Sequence, residues 1–361
     1  LRYSQQIVKT VFISIVILTA GCSPFVENNM IEEIAPVIFW SIDKGKKSDL
    51  EISTLVPPLI NEKKRLLTLP VDLLKEGEKN FNLVYYRELK VGQLRMLLIS
   101  EEVAKEGIMP IINTVLTDPD ISQRLYLAVV RGGFDEYMNS QIEKQENLDY
   151  FLYRMFKHYE KDKQGEMTVV NLHEFKNNLY TPLEDPILPL FKVDKENFTY
   201  EGTALFNDDK LIATVQNVEE SIMQIIGNDH FLKLLPITEL SLSLGHIRAN
   251  VDMNLEQNNS LLSIDIDLTA RIEEYKGDKN IHEVNELTVV GNEIESYLET
   301  HTTELLNHLQ ELKIDPLKIG SHTKKPFEKT MSEEEWINMF EQMEIEVDYQ
   351  LDLQPLTNVS H

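Results

Sequence analysis

Near the C-terminal end, apolar Ile345, Val347, Tyr349, Leu351 and Leu353 alternate without a break with polar Glu344, Glu346, Asp348, Gln350 and Asp352. Successive side chains on a strand point to opposite faces, so this pattern fits a strand with one buried and one wet face. Such a strand needs a neighbour in a sheet and an apolar layer over one side. The residues upstream supply both. Leu240, Leu242 and Leu244 share one parity, and Ile247, Ala249, Val251, Met253 and Leu255 share the other, with Gly245 at the junction. A one-residue shift of this kind predicts a β-bulge, because the extra residue returns the apolar set to the core. Ile264, Ile266 and Leu268 alternate with Asp265, Asp267 and Thr269, and Gln257-Asn258-Asn259 joins the two runs as a long hairpin. Residues 284–313 read as a helix with Ile294, Leu298, Leu305, Leu309 and Leu312 on one face, ending near Asp315-Pro316. A last helix starts at Ser332, with Glu335 completing a capping box. The expected C-terminal unit is an antiparallel sheet covered by a long helix.

The N-terminal half reads differently. Residues 31–43 and 50–57 are strand candidates, with Pro36 near the start of the first. A helix over 71–79 precedes a strand over 94–100, helices over 101–105 and 108–116, and a strand over 124–132. Strand, helices, strand over so short a span predicts a βα unit with parallel pairing. Helices follow at Leu148–Tyr159 and Val169–Asn178. Tyr180 to Pro189, with Pro182, Pro186 and Pro189, is the linker candidate, and the main boundary is placed near 195. The runs around Asn207-Asp208-Asp209 form a hairpin, assigned to the C-terminal unit. The predicted class is α+β, a mixed α/β multidomain chain: a mixed-sheet region with βα units over 31–195, and the α+β unit over 196–361.

The first residues carry a different message. Arg2 and Lys9 precede the apolar run Val11 to Leu18, then Thr19-Ala20-Gly21 and Cys22, the only cysteine of 361 residues. Basic, apolar and small residues in that order read as a secretory leader over 1–21, its apolar run too short to span a bilayer. A cysteine after small residues reads as a lipidation site, with 22–30 as a tether. An ordinary leader with an incidental cysteine is the bland alternative. A lipidated Cys22 leaves no thiol for disulfides, zinc or catalysis. The formal charge is −25, and two units more negative without Arg2 and Lys9. Such a chain repels phosphate backbones and anionic headgroups, so nucleic acid is not an expected partner and the lipid must do the anchoring.

Candidate chemistry is sparse. Gly132-Gly133 is an isolated pair after a strand and reads as a turn rather than a phosphate loop. His301, Glu304 and His308 share a helical stripe that metal ligands could use, yet boundary polar residues are ordinary there. Asp265 and Asp267 share a strand face, where alternation alone predicts solvated acids. Asp162 to Glu166 lacks calcium-loop spacing. No catalytic, cofactor or metal residues are assigned.

Several stretches resemble a known family. "LKVGQLRMLLISEEVAKEGIMPIINTVLTDPDISQRLYLAVVRG" (89–132) has the strand, Glu-Glu-x-Ala-Lys-x-Gly helix, Asp-Pro turn and Arg-Gly strand end of the Ger(x)C family. These are lipoprotein C subunits of nutrient germinant receptors in spore-forming bacteria. "GTALFNDDKLIATV" (202–215), "IDPLKIG" (314–320), Trp336 and the closing strand match in the expected order. Ser23-Pro24-Phe25 and "SID" (41–43) depart from the usual pattern. The resemblance implies a non-enzymatic subunit, lipid-anchored on the outer leaflet of the inner spore membrane beside two integral-membrane subunits. It transfers no functional side chain beyond Cys22. A lipid-anchored solute-binding protein is the alternative, and a secreted hydrolase a second, opposed by missing nucleophile and metal motifs.

Overall fold

The computed structural model describes residues 33–46, 48–57, 63–144, 148–162, 165–227, 231–256, 259–324 and 331–354. The predicted leader, Cys22 and the tether to Met30 lie outside these residues, as do Gln257 and Asn258 of the predicted turn.

The stretch read as one strand over 31–43 divides into β1 (Ile34–Pro36) and β2 (Phe39–Lys44), which join different sheets. Next come β3 (Leu50–Val56) and β4 (Arg65–Val71), antiparallel neighbours. Helix α1 (Leu74–Val84) leads to the short β5 (Glu88–Lys90), which pairs in parallel with β1. Then β6 (Met96–Ser100), α2 (Glu101–Glu106), α3 (Met109–Thr117) and β7 (Tyr126–Arg131) form the predicted βα unit, with β6 and β7 parallel. Helices α4 (Phe134–Gln141) and α5 (Leu148–Asp162), the two-residue β8 (Val170–Asn171) and α6 (Leu172–Tyr180) lead on to β9 (Ile187–Val193).

Two expectations need correction here. The proline-rich stretch is not all linker, because β9 begins inside it. Ile187, Leu188, Leu190 and Phe191 are buried, and pairing with β7 starts only at Leu190, after Pro189. The hairpin β10 (Phe198–Asn207) and β11 (Lys210–Val215) adds to this same sheet rather than to the C-terminal one. Strand pairing therefore runs across position 195. The order is β11-β10-β9-β7-β6-β2-β3-β4, with β8 on β7. Parallel β2, β6, β7 and β9 form its centre and antiparallel hairpins its edges. The centre is covered on both faces, as parallel sheets require. Leu97, Ile99, Leu127 and Val129 join one core, and Met96, Leu98, Ala128 and Val130 join another with Phe134 and Phe156.

Helix α7 (Asn217–Gly227) connects to β12 (Phe231–Ile237), β13 (Leu242–Glu256) and β14 (Leu261–Tyr275), an antiparallel meander. The predicted bulge is present: Gly245 pairs with Arg271 and Arg248 with Thr269, leaving one extra residue on β13, where His246 takes a φ of 52°. Helices α8 (Val284–Leu312) and α9 (Glu333–Phe340) then precede β15 (Glu344–Gln354). β15 runs parallel to β14, so the sheet is not wholly antiparallel. A crossover through two helices returns the chain to the sheet in its original direction, which no hairpin does. Its register is the predicted one. Tyr349 is buried, and Ile345, Val347, Leu351 and Leu353 pack half-buried against the core that holds Leu298 and Leu305.

Candidate functional site: two joints and a cleft

The stretches singled out in the sequence meet one another in space. Ser100 opens α2, its Oγ accepting from the amide of Val103 at 3.4 Å, and Gly107 ends it. Gly107 has a φ of 123°, and a Cβ there would lie 2.9 Å from the Asp209 carboxylate, so glycine fits on both counts. The turn of the β10–β11 hairpin is docked on this point. The Asp209 carbonyl accepts from the Ile108 amide at 3.0 Å, and its Oδ2 accepts from the Met109 amide at 2.7 Å. At the opposite end of α2, Arg131 at the end of β7 grips Glu101 through Nε at 2.6 Å and Nη2 at 3.2 Å, and Glu201 of β10 through Nη1 at 2.6 Å. The Arg131 hydrogen bonds hold the Glu101 carboxyl down at about 2, with Lys105 at 2.7 Å adding to them. One guanidinium thus ties three elements.

A second joint links the loop after α6 to the turn after α8. The Asp185 amide donates to the Asp315 carbonyl at 3.1 Å, and the Asp315 amide donates to Asp185 Oδ2 at 2.6 Å. The Asp315 carboxylate folds its own turn, accepting from the amides of Ile319 at 2.9 Å and Gly320 at 2.6 Å. A Cβ at Gly320 would lie 2.8 Å from both the Leu183 side chain and the Trp336 ring, so the close approach requires glycine. Lys318 adds contacts of 3.1 Å to Glu184 and to Asn178. Burial pushes Asp185 up to about 7 and Asp315 up to about 6, their mutual proximity adding to the rise at Asp185.

Next to the second joint lies a cleft of about 530 Å³ lined by Glu160, Thr168, Glu174, Asn178, Gln224 and Lys318 among others. Its polar groups are largely paired with protein: Tyr126 donates to Glu160 at 2.6 Å, and Lys318 is held as described. Behind Thr168 and Gln224 sits a buried polar knot. Glu220 Oε1 accepts from Thr203 at 2.9 Å, Gln224 at 2.9 Å, Thr168 at 3.2 Å and the Tyr200 hydroxyl. Burial raises Glu220 above the usual carboxylate range and Tyr200 well above the usual phenol range. Glu220 Oε2 has no hydrogen-bond partner among the described residues. The arrangement pins α7 to β10.

Two family models match in tandem. Residues 27–193 match the spore germination protein N-terminal domain, and 201–355 match the spore germination B3/GerAC-like C-terminal domain. The chain belongs to the GerAC-like family of spore germination proteins. Spore germination protein GerQC of Bacillus cereus is 21% identical over 72% of this GerAC-like chain and 73% of its own length. The putative spore germination protein YfkR of Bacillus subtilis (strain 168) is 21% identical over 92% of each chain. The crystal structure of the GerBC protein aligns with a TM-score of 0.49 and 14% identity, covering 87% of this chain and 96% of that one.

The remaining candidates in this GerAC-like chain do not gather into a site. Cys22 lies outside the described residues. His301 Nδ1 lies 3.0 Å from Glu304 Oε2 and its ring packs 4.3 Å from that of Tyr297, while His308 is exposed. No cluster of three His, Cys, Asp or Glu fit for a metal occurs among the described residues. Asp265 and Asp267 face solvent, Asp265 in register with Asp252 and Asp348. Gly132-Gly133 leads into α4, whose first turn holds Asp135 and Glu136, an unfavourable setting for a phosphate. Two features go beyond what the sequence motifs pointed to, the Arg131 tie and the Asp185–Asp315 exchange. Glu101 and Arg131 both stand in the 89–132 motif, which was the available signal.

Proposed function

We propose that this spore germination protein is a non-catalytic subunit of a nutrient germinant receptor, anchored through lipid on Cys22 and acting by contact with integral-membrane subunits. A division into a region with βα units and one built on the long helix is part of that proposal, with the β10–β11 hairpin kept on the sheet of the first region. The observation that carries the reading is where the motif residues go. Glu101, Gly107, Arg131, Asp209, Asp315 and Gly320 are spent on joints between elements, which is the use a rigid adaptor makes of them. The basic, apolar, small order before Cys22 supports an anchor on the outer leaflet of the inner spore membrane. Confinement to one leaflet raises the effective concentration of membrane partners, so weak contacts suffice to assemble a complex. The test is genetic and biochemical together. Deleting the gene is expected to impair the response to some nutrients and spare germination by a receptor-independent trigger, and Cys22→Ala to weaken that response without unfolding the protein.

A second reading, a lipid-anchored solute-binding protein, has the cleft beside the second joint in its favour. Calorimetry of the purified protein against amino acids, sugars and nucleosides separates the two. Micromolar one-to-one binding would favour the second.

A further inference from the structure

We infer that the end of α1 and the turn after it, Leu83, Val84 and Tyr86, form a membrane-facing patch that rests on anionic lipid beside the anchor. The inference builds on the lipid-anchored reading, but its evidence is separate. Leu83 is 76% exposed, Val84 62% and Tyr86 64%, a run of large apolar and aromatic side chains turned outward. Neighbouring Phe81 and Tyr85 are buried, so the backbone that presents them is fixed from below. The Arg65 guanidinium lies 5.3 Å from the centre of the Tyr85 ring, and Arg87 reaches the carbonyls of Pro57, at 2.9 Å, and Ile34. This part of the molecule is held from below while Leu83 and Val84 stay largely exposed.

Position names the occupant. Two residues beyond Tyr86, the Glu88 amide donates to the Glu33 carbonyl at 2.8 Å, which places the patch beside the first described residue. Cys22 stands eleven residues before Glu33. A fully extended chain spans at most about 3.3–3.6 Å per residue, so the anchor lies within about 40 Å of Glu33. Charge agrees with position. In a chain of net charge −25, residues 63–95 carry eight Lys and Arg against four Asp and Glu. Exposed Lys79 stands one helical turn before Leu83. A segment of net positive charge that presents apolar and Tyr side chains suits the headgroup boundary of an anionic bilayer, which the rest of the molecule repels. The patch sets which side of the protein faces the membrane.

The one native cysteine makes the test direct. With Cys22 blocked by lipid, Leu83→Cys and Val284→Cys each carry a single free thiol, and Val284 is a comparably exposed site at the start of α8. Each anchored protein is labelled with an environment-sensitive dye in vesicles containing phosphatidylglycerol and a lipid-borne quencher. The dye at 83 is expected to be quenched severalfold more than the dye at 284, and the difference to shrink with Lys79→Glu. Equal quenching at both sites overturns the inference, as does protection of site 83 that appears only when integral-membrane proteins are added. Uptake of dye by the unsubstituted protein at Cys22 would instead overturn the anchor reading. The same comparison on Cys22→Ser backgrounds mixed with vesicles then decides the patch.

Discussion

The backbone amide of Leu351 donates to Glu295 Oε1 across 2.7 Å, so a carboxylate from the long helix caps the open edge of the last strand at its middle. Glu299 does the same for the Tyr349 amide at 3.3 Å. The other edge of β15 is occupied by β14. An open edge is a template for pairing with another chain, and these two side chains cap the amides at the middle of it.

The double change Glu295→Ala, Glu299→Ala should therefore act mainly on association. We expect a loss of about 1–2 kcal/mol in unfolding free energy, as for hydrogen bonds to half-buried groups. Light scattering should show self-association at concentrations where the parent chain stays dispersed.

Within the C-terminal core, the Tyr349 hydroxyl and Thr302 Oγ1 lie 2.9 Å apart, both buried. Tyr349→Phe leaves the threonine hydroxyl without its partner and should cost about 1–3 kcal/mol. Adding Thr302→Val removes the orphaned group and should recover much of that loss. Asp348→Ala and Asp352→Ala, on the wet face, should each stay within about 0.5 kcal/mol. Chemical denaturation of all four reads the register of β15.

The alternation at 344–353 makes the final strand, its wet face and its cover legible from residue order alone. Its direction is not legible there, because alternation is the same in a parallel and an antiparallel strand. β9 is obscured by Pro182, Pro186 and Pro189, whose local preference for turns is overridden once Ile187 to Phe191 are buried between β7 and β10. The joints divide in the same way. Glu101 and Gly107 sit in one short motif, whereas Asp185 and Asp315 are 130 residues apart, and no local pattern links them. The resemblance carried by the 89–132 and 202–215 motifs agrees with the two family matches.

Arg131 offers a sharper probe of the first joint. Arg131→Ala leaves Glu101 and Glu201 facing each other without their shared cation, a loss of about 1–3 kcal/mol after allowing for partial exposure. Arg131→Lys should recover only part of it, since a lysine cannot make the paired contact to Glu101 and also reach Glu201. Denaturation midpoints of the two variants give the comparison.

The two joints titrate in opposite senses. Asp185 and Asp315 have folded values, about 7 and about 6, raised above the unfolded carboxylate value near 4. The stability they contribute is complete below about pH 4 and is lost as pH rises through 6 to 7. Glu101, held at about 2, contributes stability above its unfolded value of about 4.3 that is lost as pH falls toward 2. Asp185→Asn keeps an acceptor for the Asp315 amide without the charge. It should flatten the decline in denaturation midpoint between pH 5 and 8 and raise the midpoint at pH 8 relative to the parent chain. An unchanged slope would mean that Asp185 does not carry it.

If this protein works by holding membrane partners, they accompany it when it is drawn from its own membrane. Affinity-tagged protein, extracted from spore inner membranes in mild detergent, is quantified by mass spectrometry. We predict two multi-span membrane proteins at near-equal molar amounts, with a diacylglycerol adduct on Cys22. Recovery of the chain alone, with Cys22 unmodified, would contradict the account.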